Sequence, residues 1–138
     1  MEIIVTKECP ADAKAIRRAV FIEEQGFINE FDEIDARARH AVIYCDGQPA
    51  ATGRVFAADE PQTMTIGRVA VLPAFRGRHL GQAVLTALEN AAREQGAVRT
   101  VLSSQCTARA FYEKCGYTAS GAVYYDEHCP HIHMEKTL

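Results

Sequence analysis

The residues best suited to chemistry lie in one short loop, RGRHLG at positions 76–81, which follows an apolar run and precedes a long amphipathic one. The pattern predicts a strand that leads through this loop into the N-terminus of a helix. The first N–H groups of a helix have no intrahelical partner, and they carry the positive end of the helix dipole. Arginine side chains match phosphate oxygens, and glycines let the backbone approach a ligand closely. The loop is therefore typical of a phosphate-binding site.

A second group of reactive side chains is acidic. Residues 23–35 contain no lysine or arginine but carry Glu23, Glu24, Glu30, Asp32, Glu33 and Asp35. Such a run is usually a solvated loop. It could instead attract a cationic group and help to remove its proton. On this second interpretation, the candidates for that contact or for a general base are Glu24, Glu33 and His40.

Thiols and histidines offer weaker candidates. The cysteines are Cys9, Cys45, Cys106, Cys115 and Cys129, and no two of them form a CxxC pair. We therefore interpret them as free thiols that pack in the structure. The tail sequence HCPHIH at 128–133 could supply zinc ligands, but its spacing matches no standard zinc finger. We expect no metal site.

Size and charge restrict the class of protein. The chain has 138 residues, of which 48% are hydrophobic, and this predicts one globular domain over residues 1–138. A net charge of −3 argues against a general nucleic-acid-binding protein. No apolar run approaches the roughly 18 residues that a membrane span needs. The first residues lack the features of a signal peptide, so a cytoplasmic location is expected.

The elements that must position these residues follow from hydrophobic periodicity and turn signals. The predicted order is β-α-β-β-β-α-β-α-β-β. Asp46-Gly47 indicates a tight hairpin, and Gly67 inside a strand indicates a bulge or a close approach to a ligand. The predicted strands cover 2–6, 40–45, 48–57, 64–72 and 100–104, then the two short segments 117–118 and 122–124, counted as one strand in this order, and 131–136. The predicted helices run from Pro10 to near Gly26, from Leu80 to a cap at Gly96, and over 108–115.

That order, with these motifs, resembles the GNAT superfamily of N-acetyltransferases over nearly the whole chain. The loop matches the family signature Gln/Arg-x-x-Gly-x-Gly/Ala, with His79 at a position where glycine is usual. The sequence FYEKCGY at 111–117 is similar to the family's FYxxxGF element. Segments 18–26, 30–40 and 127–134 are similar to the ElaA-like branch of the family.

The resemblance implies a single α/β (α+β) domain. Its mixed, mainly antiparallel sheet would have six to seven strands, with a splayed parallel pair at the cofactor site. It also implies transfer of an acyl group, most simply acetyl from acetyl-CoA, to a primary amine by direct attack in a ternary complex. Tyr112 would protonate the departing thiolate. Residues along the pantetheine arm and around the pyrophosphate would be Val69, Ala70, Val71, Arg76, Gly77, Arg78, His79, Leu80, Gly81 and Gln82.

Several alternatives stay open at this level. Tyr112 also has the spacing of a core-facing tyrosine with a satisfied hydroxyl. The chain could be a non-catalytic sensor of acetyl-CoA, or an interaction domain that kept only the fold. The acceptor could be a small-molecule or a peptide amine, and a homodimer is compatible with the pattern. We expect no nucleic acid or membrane partner.

Overall fold

The computed structural model describes residues 1–138. Its strands are β1 Glu2–Thr6, β2 Arg39–Cys45, β3 Gln48–Ala57, β4 Thr63–Val71, β5 Arg99–Gln105, β6 Thr118–Asp126 and β7 Cys129–Thr137. Its helices are α1 Ala11–Arg17, α2 Leu80–Glu94 and α3 Arg109–Lys114. A π-helical segment, Arg18–Glu24, continues α1, and short 3-10 turns lie at Glu33–Ala36, Pro73–Phe75 and Cys106–Ala108. No helix is both long enough and apolar enough to cross a bilayer.

The strands form one sheet in the order β1-β2-β3-β4-β5-β7-β6. All neighbouring pairs are antiparallel except β4 and β5, which are parallel. The prediction of a mixed, mainly antiparallel sheet with one parallel pair is therefore confirmed. The Asp46-Gly47 hairpin also forms, since both residues adopt the positive φ angles that such a tight turn requires.

The parallel strands separate halfway along their length. Their pairing begins at Thr63 opposite Arg99 and ends at Ile66 opposite Leu102, although both strands continue further. A bulge bends β4 at this point, because Gly67 lies opposite Arg54 whereas Ala70 lies opposite Thr52. The additional residue falls next to Gly67, where the sequence predicts an irregularity. A cleft therefore opens between the second halves of β4 and β5.

Helices cover both faces of the sheet because the strands alternate their apolar side chains between the two faces. On one face α2 packs over a core that includes Ile43, Val55 and Ile66. On the other face α1 and its π-helical continuation pack over Val42 and Ala70. The sheet thus forms the middle layer, and the open cleft lies between structured elements rather than at a free edge.

The first helix ends in a π turn rather than in a regular α-helical turn. The Gln25 N–H donates to the Val20 carbonyl at 3.0 Å, and the Phe27 N–H donates to the Phe21 carbonyl at 2.8 Å. Wider turns of this kind are common at functional sites. Here the turn carries Glu24 and Gln25 to the mouth of the cleft.

The C-terminal strands are longer than predicted. The sequence suggests two short strands between residues 117 and 124, whereas β6 is continuous over Thr118–Asp126. A register shift between Ser120 and Tyr124, with Gly121 at a positive φ of 82°, interrupts the pairing with β7 but not the strand. The bulge therefore disrupts the alternation on which the sequence prediction depended.

Candidate active site

A cavity of about 660 Å³ occupies the cleft between the end of β4, the loop before α2, and α3. Eight of the ten side chains predicted to contact the cofactor line it, and only Arg78 and Gln82 do not. The lining therefore joins segments that are far apart in sequence: Val69–Val71, the loop from Arg76, and Phe111 with Tyr112. We call this the donor cavity.

Backbone donors point into the donor cavity from two directions. The Leu72 N–H bonds to the Ala50 carbonyl of β3 at 2.9 Å, so by strand alternation the N–H groups of Val71 and Val69 point the opposite way, into the cleft. In α2, the Ala83 N–H bonds to the His79 carbonyl at 3.2 Å. The N–H groups of residues 80–82 precede this bond and have no helical partner, and of these residues Leu80 and Gly81 line the cavity. These groups are suited to a carbonyl and to an anion, respectively.

Two backbone conformations shape the loop before α2. Gly77 has a φ of 81° and His79 a φ of 60°, both in the left-handed region that glycine favours. His79 thus adopts the conformation expected of the glycine usual at this position in the family. Gly81 has a different role, because a Cβ there would lie 3.0 Å from Cζ of Phe111, closer than ordinary van der Waals contact. The missing side chain lets α3 approach the N-terminus of α2.

The side chain of Arg76 is already engaged. Its Nη1 and Nη2 donate to the two carboxylate oxygens of Glu24 at 2.8 and 2.7 Å, and its Nε donates to the Val71 carbonyl at 3.0 Å. The hydrogen bonds from Arg76 lower the pKa of Glu24, and those to Glu24 raise the pKa of Arg76. Arg78 instead lies over the Phe75 ring, 5.4 Å from its centre. The guanidinium of Arg76 therefore spans the mouth of the donor cavity with its charge balanced.

A second cavity, of about 340 Å³, lies on the far side of Tyr112. It has an apolar part formed by Phe21, Phe27 and Phe56 and a polar part formed by Asn29, Glu30, Arg54, Arg68, Ser103, Asp126 and His131. We call it the acceptor cavity. Both cavities are lined by Gln25, Val69, Gln105, Ala108 and Tyr112. The two cavities therefore adjoin, and Gln105 Nε2 donates to Gln25 Oε1 at 2.8 Å beside the junction.

Tyr112 lies at this junction with a hydroxyl that makes no hydrogen bond within the protein. Burial, with a smaller contribution from Cys115, raises the pKa of Tyr112 well above its ordinary value. The satisfied, core-facing tyrosine is Tyr117, whose hydroxyl lies 2.9 Å from Thr100 Oγ1 and donates to Glu89 at 2.8 Å. Tyr112 therefore lacks the satisfied hydroxyl that the core-facing alternative requires, and it lines both cavities.

The acidic stretch forms a buried network of ion pairs that the sequence analysis missed. Three of its carboxylates face three arginines that come from α1, β3 and β4. The bonds are Arg17–Glu30 at 2.8 Å, Arg17–Asp35 at 2.8 Å, Arg54–Asp32 at 2.6 Å, Arg54–Asp35 at 2.8 Å, Arg68–Glu30 at 3.0 Å and Arg68–Asp32 at 3.4 Å. The charges of the network balance, so these carboxylates form neither a solvated loop nor an attractor for a cation.

The network affects its members differently. The hydrogen bonds from Arg54 lower the pKa of Asp32. At Asp35 burial acts to raise the pKa, but the hydrogen bonds from two arginines lower it by more, so the pKa of Asp35 is also lowered. At Glu30 burial outweighs the arginines and raises the pKa. Arg54 keeps one buried atom, Nε, without a hydrogen-bond partner in the protein, although its other nitrogens are bonded.

None of the three residues predicted to contact the amine lines the acceptor cavity. Glu24 binds Arg76, and Glu33 is exposed on the 3-10 turn. His40 is buried, with Nε2 donating to the Asp35 carbonyl at 2.9 Å, and burial lowers its pKa. Their roles as bases or amine contacts stay predictions that this geometry does not support. The groups that do face the acceptor cavity come from elements distant in sequence.

One cluster has the spacing of metal ligands, but its neighbour disfavours a cation. Ligand atoms of Cys9, Asp35 and His40 lie within 4.8 Å of one another. The guanidinium of Arg17 donates to Asp35 at 2.8 Å and lies 3.6 Å from the Cys9 sulfur. Arginine keeps its charge at any ordinary pH, so a cation here would meet a fixed positive charge.

Comparison with known proteins agrees with this geometry. The family model for the acetyltransferase (GNAT) domain matches residues 8–138. YjcF of Bacillus subtilis (strain 168), named an uncharacterized N-acetyltransferase, is 33% identical over 141 residues, covering 99% of each chain. The structure of Escherichia coli ElaA is 25% identical with a TM-score of 0.86, covering 98% of each chain.

The fold also occurs in a structure described as a Bacillus subtilis acetyltransferase in complex with CoA. Its TM-score is 0.79 at 17% sequence identity, covering 99% of this chain and 98% of that chain. The family match, the full-length relatives and the splayed strands beside a basic loop all agree. The chain belongs to the GNAT family of acetyltransferases.

Proposed function

We propose that this chain transfers an acetyl group from acetyl-CoA to a primary amine by direct attack within a ternary complex. The observation that carries the proposal is the junction of the two cavities at Tyr112. A donor in one cavity and an amine in the other would meet beside a hydroxyl that has no other partner. Holding two reactants side by side can provide effective molarities of roughly 10⁵ M or more, so no covalent enzyme intermediate is needed.

The donor cavity suits acetyl-CoA as the donor substrate. The free N–H groups of residues 80–82 would bind the pyrophosphate at the positive end of the α2 dipole. The inward N–H groups of Val69 and Val71 would bind the pantetheine arm and polarise the thioester carbonyl. The family membership supports a CoA thioester as donor, and acetyl is the simplest acyl group.

The reaction balances with the residues at the junction. The amine nitrogen attacks the thioester carbon, the carbon–nitrogen bond forms, and the carbon–sulfur bond breaks. Tyr112 donates its proton to the departing sulfur, and a base removes one proton from the attacking nitrogen. A tyrosine hydroxyl keeps its proton at neutral pH, and burial raises the pKa of Tyr112 further, so the proton is present when the thiolate forms.

A small-molecule amine is the proposed acceptor. A volume of about 340 Å³ lies at the lower end of the range for small-ligand sites. The aromatic part of the cavity would hold a short apolar portion of the acceptor. Asp126 carries a carboxylate without an arginine or lysine partner and would contact the ammonium group.

The experiment is to measure CoA released from acetyl-CoA, by mass spectrometry, across a panel of small amines and basic peptides. Tyr112→Phe should lower kcat by about 10²-fold or more and leave the Kd for acetyl-CoA unchanged. Tyr125→Phe changes an exposed tyrosine in the same way and should have no effect. Binding of acetyl-CoA without turnover of any amine would favour the sensor, and absence of binding would refute the proposal.

A further inference from the structure

The base that deprotonates the amine can be sought among the side chains of the acceptor cavity itself. Its ionisable members are Glu30, Arg54, Arg68, Tyr112, Asp126 and His131. The arginines hold their protons, and Tyr112 is the proposed acid. Glu30 Oε2 accepts a hydrogen bond from Arg17 Nε and lies 3.0 Å from Arg68 Nε, which donates to the Glu30 backbone carbonyl, so its carboxylate is committed to two positive charges. Asp126 is exposed to water and is already the proposed contact for the ammonium group.

His131 has a free nitrogen in a fixed tautomer. Its Nδ1 lies 2.9 Å from the backbone carbonyl of Cys129. A carbonyl oxygen only accepts, so Nδ1 must donate its proton to it. The neutral imidazole therefore carries its lone pair on Nε2, which has no hydrogen-bond partner in the protein. This arrangement, in which a backbone acceptor orients the ring, is what a general base requires.

The fold places this nitrogen near the reaction centre. His131 on β7 lies opposite Gln105 of β5, a residue that lines both cavities. The His131 ring stacks on Tyr124 at 6.2 Å and meets the edge of Phe27 at 6.4 Å. The residue is only 6% exposed, and it lines the acceptor cavity. The imidazole is thus held rigidly on the acceptor side of the junction.

We propose that His131 is the general base of the acyl transfer, acting through Nε2 on the amine bound in the acceptor cavity. The inference rests on the proposed function. Nε2 takes one proton from the bound ammonium group and becomes an imidazolium, while Nδ1–H still donates to the Cys129 carbonyl. The freed amine attacks the thioester carbon, and the second nitrogen proton leaves the adduct to water. Tyr112 gives one proton to sulfur in the same turnover. Exchange with solvent then returns a proton to Tyr112 and removes one from His131.

Other titratable groups surround His131 and could contribute to a pH profile. Those on the elements packed against it, besides the cavity members already named, are Cys106, Tyr124, Glu127, His128, Cys129 and His133. A pH dependence alone therefore does not identify the base. The test must compare variants of His131 with acceptors that differ in their need for a base.

The test uses His131→Asn, whose amide can still donate to the Cys129 carbonyl but has no basic nitrogen. The probes are two small amines. Ethylamine is protonated at neutral pH. Trifluoroethylamine is neutral at that pH, and the adduct that it forms with the thioester loses its proton readily to water. For ethylamine we expect kcat/KM to fall by about 10²-fold or more, which is the usual contribution of a general base. For trifluoroethylamine we expect a change of less than about threefold, because its deprotonation needs no catalyst.

Two controls separate the possible results. In His131→Asn, the Kd for acetyl-CoA and the thermal midpoint should match those of the wild type. The fall of kcat/KM for ethylamine at acidic pH, which the wild type should show, should disappear in this variant. An equal loss with both amines, or an unchanged fall at acidic pH, would overturn the assignment of His131 while leaving the acetyltransferase intact. If the wild type acetylates neither these probes nor any panel amine, the proposed function fails, and the base fails with it.

Discussion

The ion pair between Glu24 and Arg76 allows a sharp test, because sequence and structure assign Glu24 different roles. The sequence proposes it as a base or amine contact. In the structure it holds Arg76 at the mouth of the donor cavity through bonds of 2.7 and 2.8 Å. The perturbation is Glu24→Gln, which removes one negative charge and retains an oxygen acceptor for one of the two bonds.

The expected effect on acetyl-CoA affinity follows from the exposure of the pair. The side chains of Arg76 and Glu24 are 43% and 39% exposed, so screening by water is strong. A unit charge about 4 Å from another contributes roughly 1 kcal/mol in water-like surroundings. Releasing the charge of Arg76 toward the phosphates should therefore tighten binding by about fivefold. The free energy of unfolding should change by less than about 1 kcal/mol, as is usual for an exposed pair.

Isothermal titration calorimetry with acetyl-CoA measures this directly, and Glu23→Gln provides a control with the same charge change on an exposed neighbour. The gain in affinity should shrink as salt is added, because screening weakens exposed charges. The kcat for a protonated amine should stay unchanged. Unchanged or weaker binding would refute the electrostatic reasoning, and a loss of kcat by about 10²-fold would restore Glu24 as the base.

Three further predictions concern the elements around the site. Gly53→Ala should destabilise the protein by about 1–3 kcal/mol, because the new Cβ would lie 2.7 Å from Val84 Cγ1; Gly67→Ala, with open space around it, is the control in a thermal melt. The lowered pKa values of Asp32 and Asp35 contribute folding stability above about pH 4, and this contribution is lost as the pH falls through the folded-state pKa values. The free energy of unfolding measured with urea should therefore decrease over that pH range, and Asp35→Asn should flatten its dependence on pH. Glu127→Ala should raise KM for the amine but not the Kd for acetyl-CoA, because its carboxylate accepts two backbone N–H bonds, at 2.9 Å, from residues 28 and 29 beside the acceptor cavity. An unchanged melting point, a pH-independent unfolding curve or an unchanged KM would contradict the respective prediction.

The sequence by itself determined the features that depend on local patterns. The hairpin at Asp46-Gly47 follows from two residues that tolerate positive φ, and the start of α2 follows from the change of hydrophobic period after Pro73. The basic loop, the helix end at Gly96 and the position of Tyr112 are local in the same sense. These features predicted the hairpin, the loop and the start of α2, whereas the sheet topology and the cofactor-site residues were implied by the resemblance to the GNAT family.

The tertiary structure decided everything that depends on partners distant in the chain. From the sequence, the acidic stretch is predicted to be a solvated loop or an amine-binding loop. Its partner arginines come from separate helices and strands, so only folding brings the opposite charges together. In the sequence, His131 belongs to a segment that only weakly resembles a metal-binding motif. In the structure, strand pairing places it opposite Gln105, beside the cavity junction. Local conformation is set within a few residues, whereas the partner of a charge or a lone pair is set by which strands become neighbours. For that reason the loop and the helix start beside the donor cavity could be predicted from the sequence, and the side chains that line the acceptor cavity could not.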